Sequence, residues 1–225
     1  FYSTGESGDG VPSVLGGFAV IQHDKNLRSV YGHLLLDEAL RSDKKTSFAA
    51  DDTLGTVSDT GLTQSPELYL AIKDLSLNQS VNPCLVLPRI EERTRPTIRG
   101  VVLSSGSTVI ALGASVRVPA GEWEIFADIF DEAALAYFRP CAVYRTAVSV
   151  NGQEIFQLAF DALKEKDGLT RVYPSRDLAF RDVYSGEWRM KFGRVYLQRG
   201  MANLEIRVRD FAGNERAQSF QFRVE

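Results

Sequence analysis

Apolar and polar residues alternate strictly along two stretches near the end of the chain. Leu204, Ile206 and Val208 are separated by Glu205, Arg207 and Arg209, and Phe220, Phe222 and Val224 by Gln221, Arg223 and Glu225. Successive side chains of an extended strand point to opposite faces, so this alternation predicts strands with one face in a core and one in water. Between them, Asp210 to Glu215 supplies a glycine and two Asx residues for a tight connection. The pattern recurs at Phe156, Leu158 and Phe160, preceded by Asn151-Gly152, a pair suited to a type I′ hairpin turn. Recurrent short strands and turns predict a β-sandwich over 97–225, with Phe156, Phe160, Ile206, Val208, Phe220 and Phe222 sharing its core.

Upstream, short β-rich runs from Phe18 to Val86 are broken by Gly, Asp and Ser clusters, which predicts a second all-β unit. Gly and Ser between Ser3 and Gly10 read as a turn or mobile loop. The charged stretch from Pro88 to Pro96 reads as a linker. The expected fold class is therefore all-β, with domains at 1–88 and 97–225 joined by 89–96.

The first unit carries a motif pattern. Leu54-Gly55-Thr56-Val57-Ser58-Asp59-Thr60-Gly61 runs on to Glu67-Leu68-Tyr69-Leu70-Ala71-Ile72; Gly17 to Asp24 and Val30-Tyr31-Gly32-His33-Leu34 precede it, and Val81-Asn82-Pro83 to Pro88 follows. In order and spacing these pieces resemble the lysostaphin-like zinc endopeptidases, over roughly residues 15–88. The resemblance implies a β-sheet peptidase domain in which His33 matches the histidine that helps to stabilise the reacting centre. Glu67 and Tyr69 stand where the family has the two histidines of its H-x-H pair. Tyrosine, with a pKa near ~10, is a poor zinc ligand at neutral pH, and no H-x-x-x-D segment lies before residue 15. Phe48-Ala49-Ala50-Asp51-Asp52 replaces the glycines the family has before this strand, so that turn is expected to be rebuilt. Asp210-Phe211-Ala212-Gly213-Asn214 resembles the last hairpin of bacterial immunoglobulin-like modules.

Composition narrows the chemistry. A catalytic zinc needs three His, Asp or Glu ligands and an open position. With two histidines, His23 and His33, and two distant cysteines, no cluster of the usual ligand spacing can be assembled, so neither zinc nor any other cofactor is expected. Cys84 and Cys141 are expected to be free, buried thiols. A formal charge of −3 argues against nucleic-acid binding, and no apolar run approaches the ~20 residues of a membrane helix. The chain begins with Phe1, which fits a mature exported protein. Among the basic and aromatic residues interleaved over 162–200, Arg171, Arg189, Trp188 and Tyr196 are candidate glycan or anion contacts, since rings stack on sugars and guanidinium groups pair with anions.

The expected function is that of a non-catalytic lysostaphin-like protein of the bacterial envelope, periplasmic or secreted, which binds peptidoglycan or regulates a cell-wall hydrolase. The alternatives are an active zinc endopeptidase with atypical ligands, for which the Glu67 carboxylate is the favourable substitution, and a structural or adhesive β protein.

Overall fold

The computed structural model describes residues 2–3, 13–37, 47–88, 91–132 and 140–225. The Gly/Ser segment expected to form an early turn lies almost wholly outside them. The protein is all-β: among the described residues, strands alternate with turns, and the one α-helix has four residues. The chain divides into two units, Phe1–Pro83 and Cys84–Glu225. No helix among the described residues is long and apolar enough to cross a membrane.

In the first unit the strands are β1 (Tyr2–Ser3), β2 (Phe18–Gln22), β3 (Leu27–Gly32), β4 (Leu34–Leu36), β5 (Gly55–Val57), β6 (Tyr69–Asp74) and β7 (Gln79–Val81). They pair antiparallel in the order β1-β2-β3-β6-β7, and β4 with β5 forms a separate ribbon. Ala19 faces Tyr31 across the sheet, and Tyr31 in turn faces Leu70. A small core gathers Ala19, Leu34 and Leu36, against which Tyr31, Phe48 and Leu54 pack. The turn before β5 is closed without glycine. Asp51 takes the positive φ of 68°, which Asp tolerates better than most residues, and Asp52 Oδ2 accepts the Ala49 N–H at 2.6 Å.

The second unit begins with a 3₁₀ turn at Pro83–Leu85 that straddles the division. Its strands are β8 (Thr97–Ser105), β9 (Thr108–Ala111), β10 (Arg117–Val118), β11 (Gly121–Phe130), β12 (Arg145–Val150), β13 (Gln153–Ala159), β14 (Ala162–Lys166), β15 (Leu169–Tyr173), β16 (Leu178–Ala179), β17 (Arg189–Leu197), β18 (Gly200–Arg209) and β19 (Glu215–Val224), with α1 at Phe180–Val183. One sheet has the order β10-β19-β18-β12-β13 and the other β17-β11-β8-β9. Their inner faces close on one core: Leu204, Ile206 and Val208 of β18, Phe222 and Val224 of β19, and Val148 and Val150 of β12 meet Trp123, Ile125, Ala127 and Ile129 of β11 and Phe192 of β17. This is the sandwich that the alternation predicts. Phe156, Ile206, Val208 and Phe222 lie in the core, whereas Phe160 and Phe220 are only partly buried and pack against it. Asn151 and Gly152 take φ of 52° and 80° between β12 and β13, as a type I′ turn requires.

Residues 162–200, too long for a sandwich loop, fold into strands β14, β15 and β16, paired antiparallel in that order, then α1 and β17. Two bulges shape the second sheet. Glu124 and Phe126 of β11 face Arg194 and Lys191, so β17 holds one extra residue, beside Gly193 at φ 86°. Phe126 and Asp128 face Val102 and Arg99, so β8 holds another, beside Gly100 at φ 59°. Cys84 and Cys141 are both exposed, which corrects the expectation of burial. Cys84 sits in the 3₁₀ turn and Cys141 in an isolated bridge to Asp131, outside the inward-facing strand positions.

Candidate functional site

In the first unit, the places that match the peptidase pattern are built around one loop crossing. Gly61, at φ 87°, passes so close to Gly16 that a Cβ on it would lie 2.4 Å from the Gly16 nitrogen. Thr60 holds the crossing: its Oγ1 accepts the Gly17 N–H at 3.2 Å. The Thr60 carbonyl lies 2.7 Å from His33 Nδ1. A carbonyl oxygen only accepts, so Nδ1 carries a proton and donates to it. The His33 backbone is fixed as well, donating to Leu15 O at 2.7 Å and accepting from Ser58 N at 2.8 Å. The ring is buried.

Tyr69 opens β6 opposite Gly32. Its ring meets His33 edge-on, with centroids 6.3 Å apart. Glu67, two residues before the strand begins, is exposed. The structure thus brings His33 and Tyr69 together and leaves Glu67 in the loop ahead of them. His23 bonds through Nε2 to Ser29 Oγ at 2.7 Å, near the start of β3. Among the described residues, the set of three His, Cys, Asp or Glu close enough to share a metal is Glu92, Asp131 and Asp210, in the second unit.

The second unit holds a surface cavity of about 280 Å³ lined by Arg99, Asp128, Trp188 and Arg189 together with Ser185–Glu187. Its floor is a row across three strands, because Arg99 of β8 and Arg189 of β17 both face Asp128 of β11. The Gly100 bulge makes room for that row: a Cβ at Gly100 would lie 3.1 Å from Asp128 Oδ2. Arg189 grips Asp128 with two N–H groups, Nε to Oδ1 at 3.0 Å and Nη2 to Oδ2 at 3.3 Å. That pairing pushes the Arg189 pKa up. Trp188 is held through its carbonyl, which accepts the Ile129 N–H at 2.9 Å, and its ring lies 5.9 Å from that of Phe130. Arg99 lies over the other aromatic, its Cζ 5.2 Å from the Phe130 centroid. The cavity therefore offers a half-buried indole, a carboxylate already neutralised by one guanidinium, and a second guanidinium with no ion pair among the described residues.

Of the four candidate contacts, Trp188 and Arg189 line this cavity, while Arg171 and Tyr196 do not. Arg171 is committed to Asp177, donating from Nη1 to its carbonyl at 2.6 Å. Tyr196 is 69% exposed farther along β17, opposite Glu122. Sequence reasoning missed Arg99 and Asp128, which join the site through cross-strand pairing over long separations.

Comparison with curated proteins and with solved structures returned no match. A protein-family model matches residues 95–225, more than half of the chain and nearly all of the second unit. The chain belongs to the family defined by that model.

Proposed function

We propose that the protein is a non-catalytic, lysostaphin-like component of the bacterial envelope that binds peptidoglycan through its sandwich unit. The observation that carries this reading is the gathering of Trp188, Arg189, Asp128 and Arg99 around one open cavity. An indole face suits the C–H face of a sugar ring, and the flanking guanidinium and carboxylate groups suit hydroxyl, amide and carboxylate groups of a muropeptide. The non-catalytic part rests on the first unit. Tyr69 holds the place of a family histidine ligand beside His33, and Glu67, in the other histidine place, is exposed in the loop ahead of β6.

Co-sedimentation with purified insoluble peptidoglycan tests the reading. The full chain is expected in the pellet, and Trp188→Ala should lower the bound fraction at least fivefold. An aromatic stacking contact worth ~0.5–1.5 kcal/mol, with associated burial, is of that order. A wild-type chain that stays in the supernatant, or a Trp188→Ala chain that pellets equally well, sinks the proposal.

A further inference from the structure

Three carboxylates converge in the second unit from distant parts of the chain. Glu92 precedes β8, Asp131 follows β11, and Asp210 opens the turn from β18 to β19. One oxygen from each lies within 4.8 Å of the other two. Asp131 and Asp210 are only 7% and 2% exposed.

Their partners are unequal. Asp210 Oδ1 accepts the N–H groups of Gly213 at 2.6 Å and Asn214 at 2.8 Å, and its Oδ2 accepts Asn214 Nδ2 at 2.8 Å. The same amide donates to Glu92 Oε2 at 2.9 Å and to the Glu92 carbonyl at 3.1 Å. Asp131 Oδ1, by contrast, is buried with no hydrogen-bond partner. Among the described residues, no Lys or Arg nitrogen lies within ion-pair distance of any of the three. Arg209 runs beside Gly213 but does not pair with them. Buried carboxylates in native proteins are paired or coordinate a metal, and an unpartnered one needs an explanation.

We infer that Glu92, Asp131 and Asp210 bind a calcium ion. The donors are all hard oxygens, with neither the imidazole nor the thiolate that zinc prefers. Two oxygens bound to one calcium at about 2.4 Å are at most about 4.8 Å apart, a limit the three carboxylates meet; calcium also accepts a largely dehydrated set of carboxylates, whereas magnesium dehydrates reluctantly and keeps several waters. Carboxylates fill part of the coordination shell and water the remainder. The bound ion would staple the segment ahead of β8, the end of β11 and the β18–β19 turn, three places that no single strand pairing joins.

The test uses the full chain, stripped with EGTA and titrated with CaCl₂ at pH 7.5. Heat of binding gives the stoichiometry. Unfolding is followed by tryptophan fluorescence, because Trp123 and Trp188 both lie in this unit. One calcium per chain is expected, with a midpoint rise of about 5 °C or more at a hundredfold excess over Kd. Asp131→Asn keeps the shape and removes the unpaired charge, so it should fold at least as well without calcium and lose tenfold or more in affinity. Glu92→Gln should lose a similar amount. Absence of both heat and shift at 5 mM CaCl₂ would overturn the site and leave a carboxylate trio sharing protons. A shift retained in Asp131→Asn, or matched by equal MgCl₂, would overturn the assignment as well.

Discussion

Truncation of Phe222 to alanine probes the sandwich at its centre. Phe222 is 2% exposed and faces inward from β19, which is paired with β18 on one side and β10 on the other. The removed ring leaves a cavity among side chains fixed from both sheets, including Val224 and the inward residues of β18. Core Phe→Ala substitutions cost about 3–5 kcal/mol, the upper part applying where the surroundings cannot collapse. A clamped central strand argues for that upper part. Typical domains have about 5–15 kcal/mol in total, so the variant should fold but with a much lower urea midpoint and an unchanged slope. Tryptophan fluorescence isolates the transition, since Trp123 sits in the same core with its indole N–H bonded to the Pro119 carbonyl at 2.9 Å. Tyr196→Ala, at a 69% exposed position, serves as the control and should change stability by under about 0.5 kcal/mol. A Phe222→Ala loss below about 1 kcal/mol would place that face of β19 in solvent and refute the packing.

Other outcomes follow from the sites. In EGTA, Asp131 holds a proton up to a pH of about 6 in the folded chain, against the ordinary value of 3.8. The folded state then binds more protons than the unfolded one between those values, so this group's contribution to stability is present below about pH 4 and lost as pH rises to about 6. The loss is about 3 kcal/mol at most, and urea midpoints measured against Asp131→Asn from pH 4 to 7 should converge at the acid end; parallel profiles would contradict this. Gly100→Ala places a side chain at φ 59° and 3.1 Å from Asp128 Oδ2, which should cost about 1–2 kcal/mol by urea unfolding; a neutral result would mean that the bulge is not strained by a Cβ. Zinc affinity by titration should be the same in wild type and His33→Ala, and neither should cleave glycine- or diaminopimelate-linked muropeptides; chelator-sensitive cleavage lost in His33→Ala would restore a catalytic reading.

Strands β12, β13, β18 and β19 were legible because each reports itself locally. Leu204, Ile206 and Val208 lie on the inner face of β18 as their alternation requires, and Asn151-Gly152 turns where a two-residue loop of positive φ must. The sites were not legible in that way. Asp210 was recognisable as a turn residue, yet nothing near it in sequence points to Glu92 or Asp131; only the closure of the sandwich sets them beside it. Arg99 and Asp128 likewise meet through a cross-strand register that depends on an extra residue at Gly100. Periodicity determines which face a residue takes, not which residue faces it across the sheet. Glu92, in the segment that composition marks as a linker, is half-buried and bonded to Asn214, because the amide of that turn had an unfilled donor within reach.

The bulge at Gly193 has a consequence for how copies of this chain behave in concentrated solution. β17 is the last strand of its sheet, and an edge strand offers unpaired N–H and C=O groups on which another chain can grow. Here that template is spoiled in two ways. The extra residue bends the ladder midway, so a straight incoming strand cannot keep register along it. Arg189, Lys191 and Arg194 line the same strand, each tied to a carboxylate on β11, and an added strand would have to pack against all three. A strand-rich chain thereby keeps one of its open borders from seeding fibrous growth.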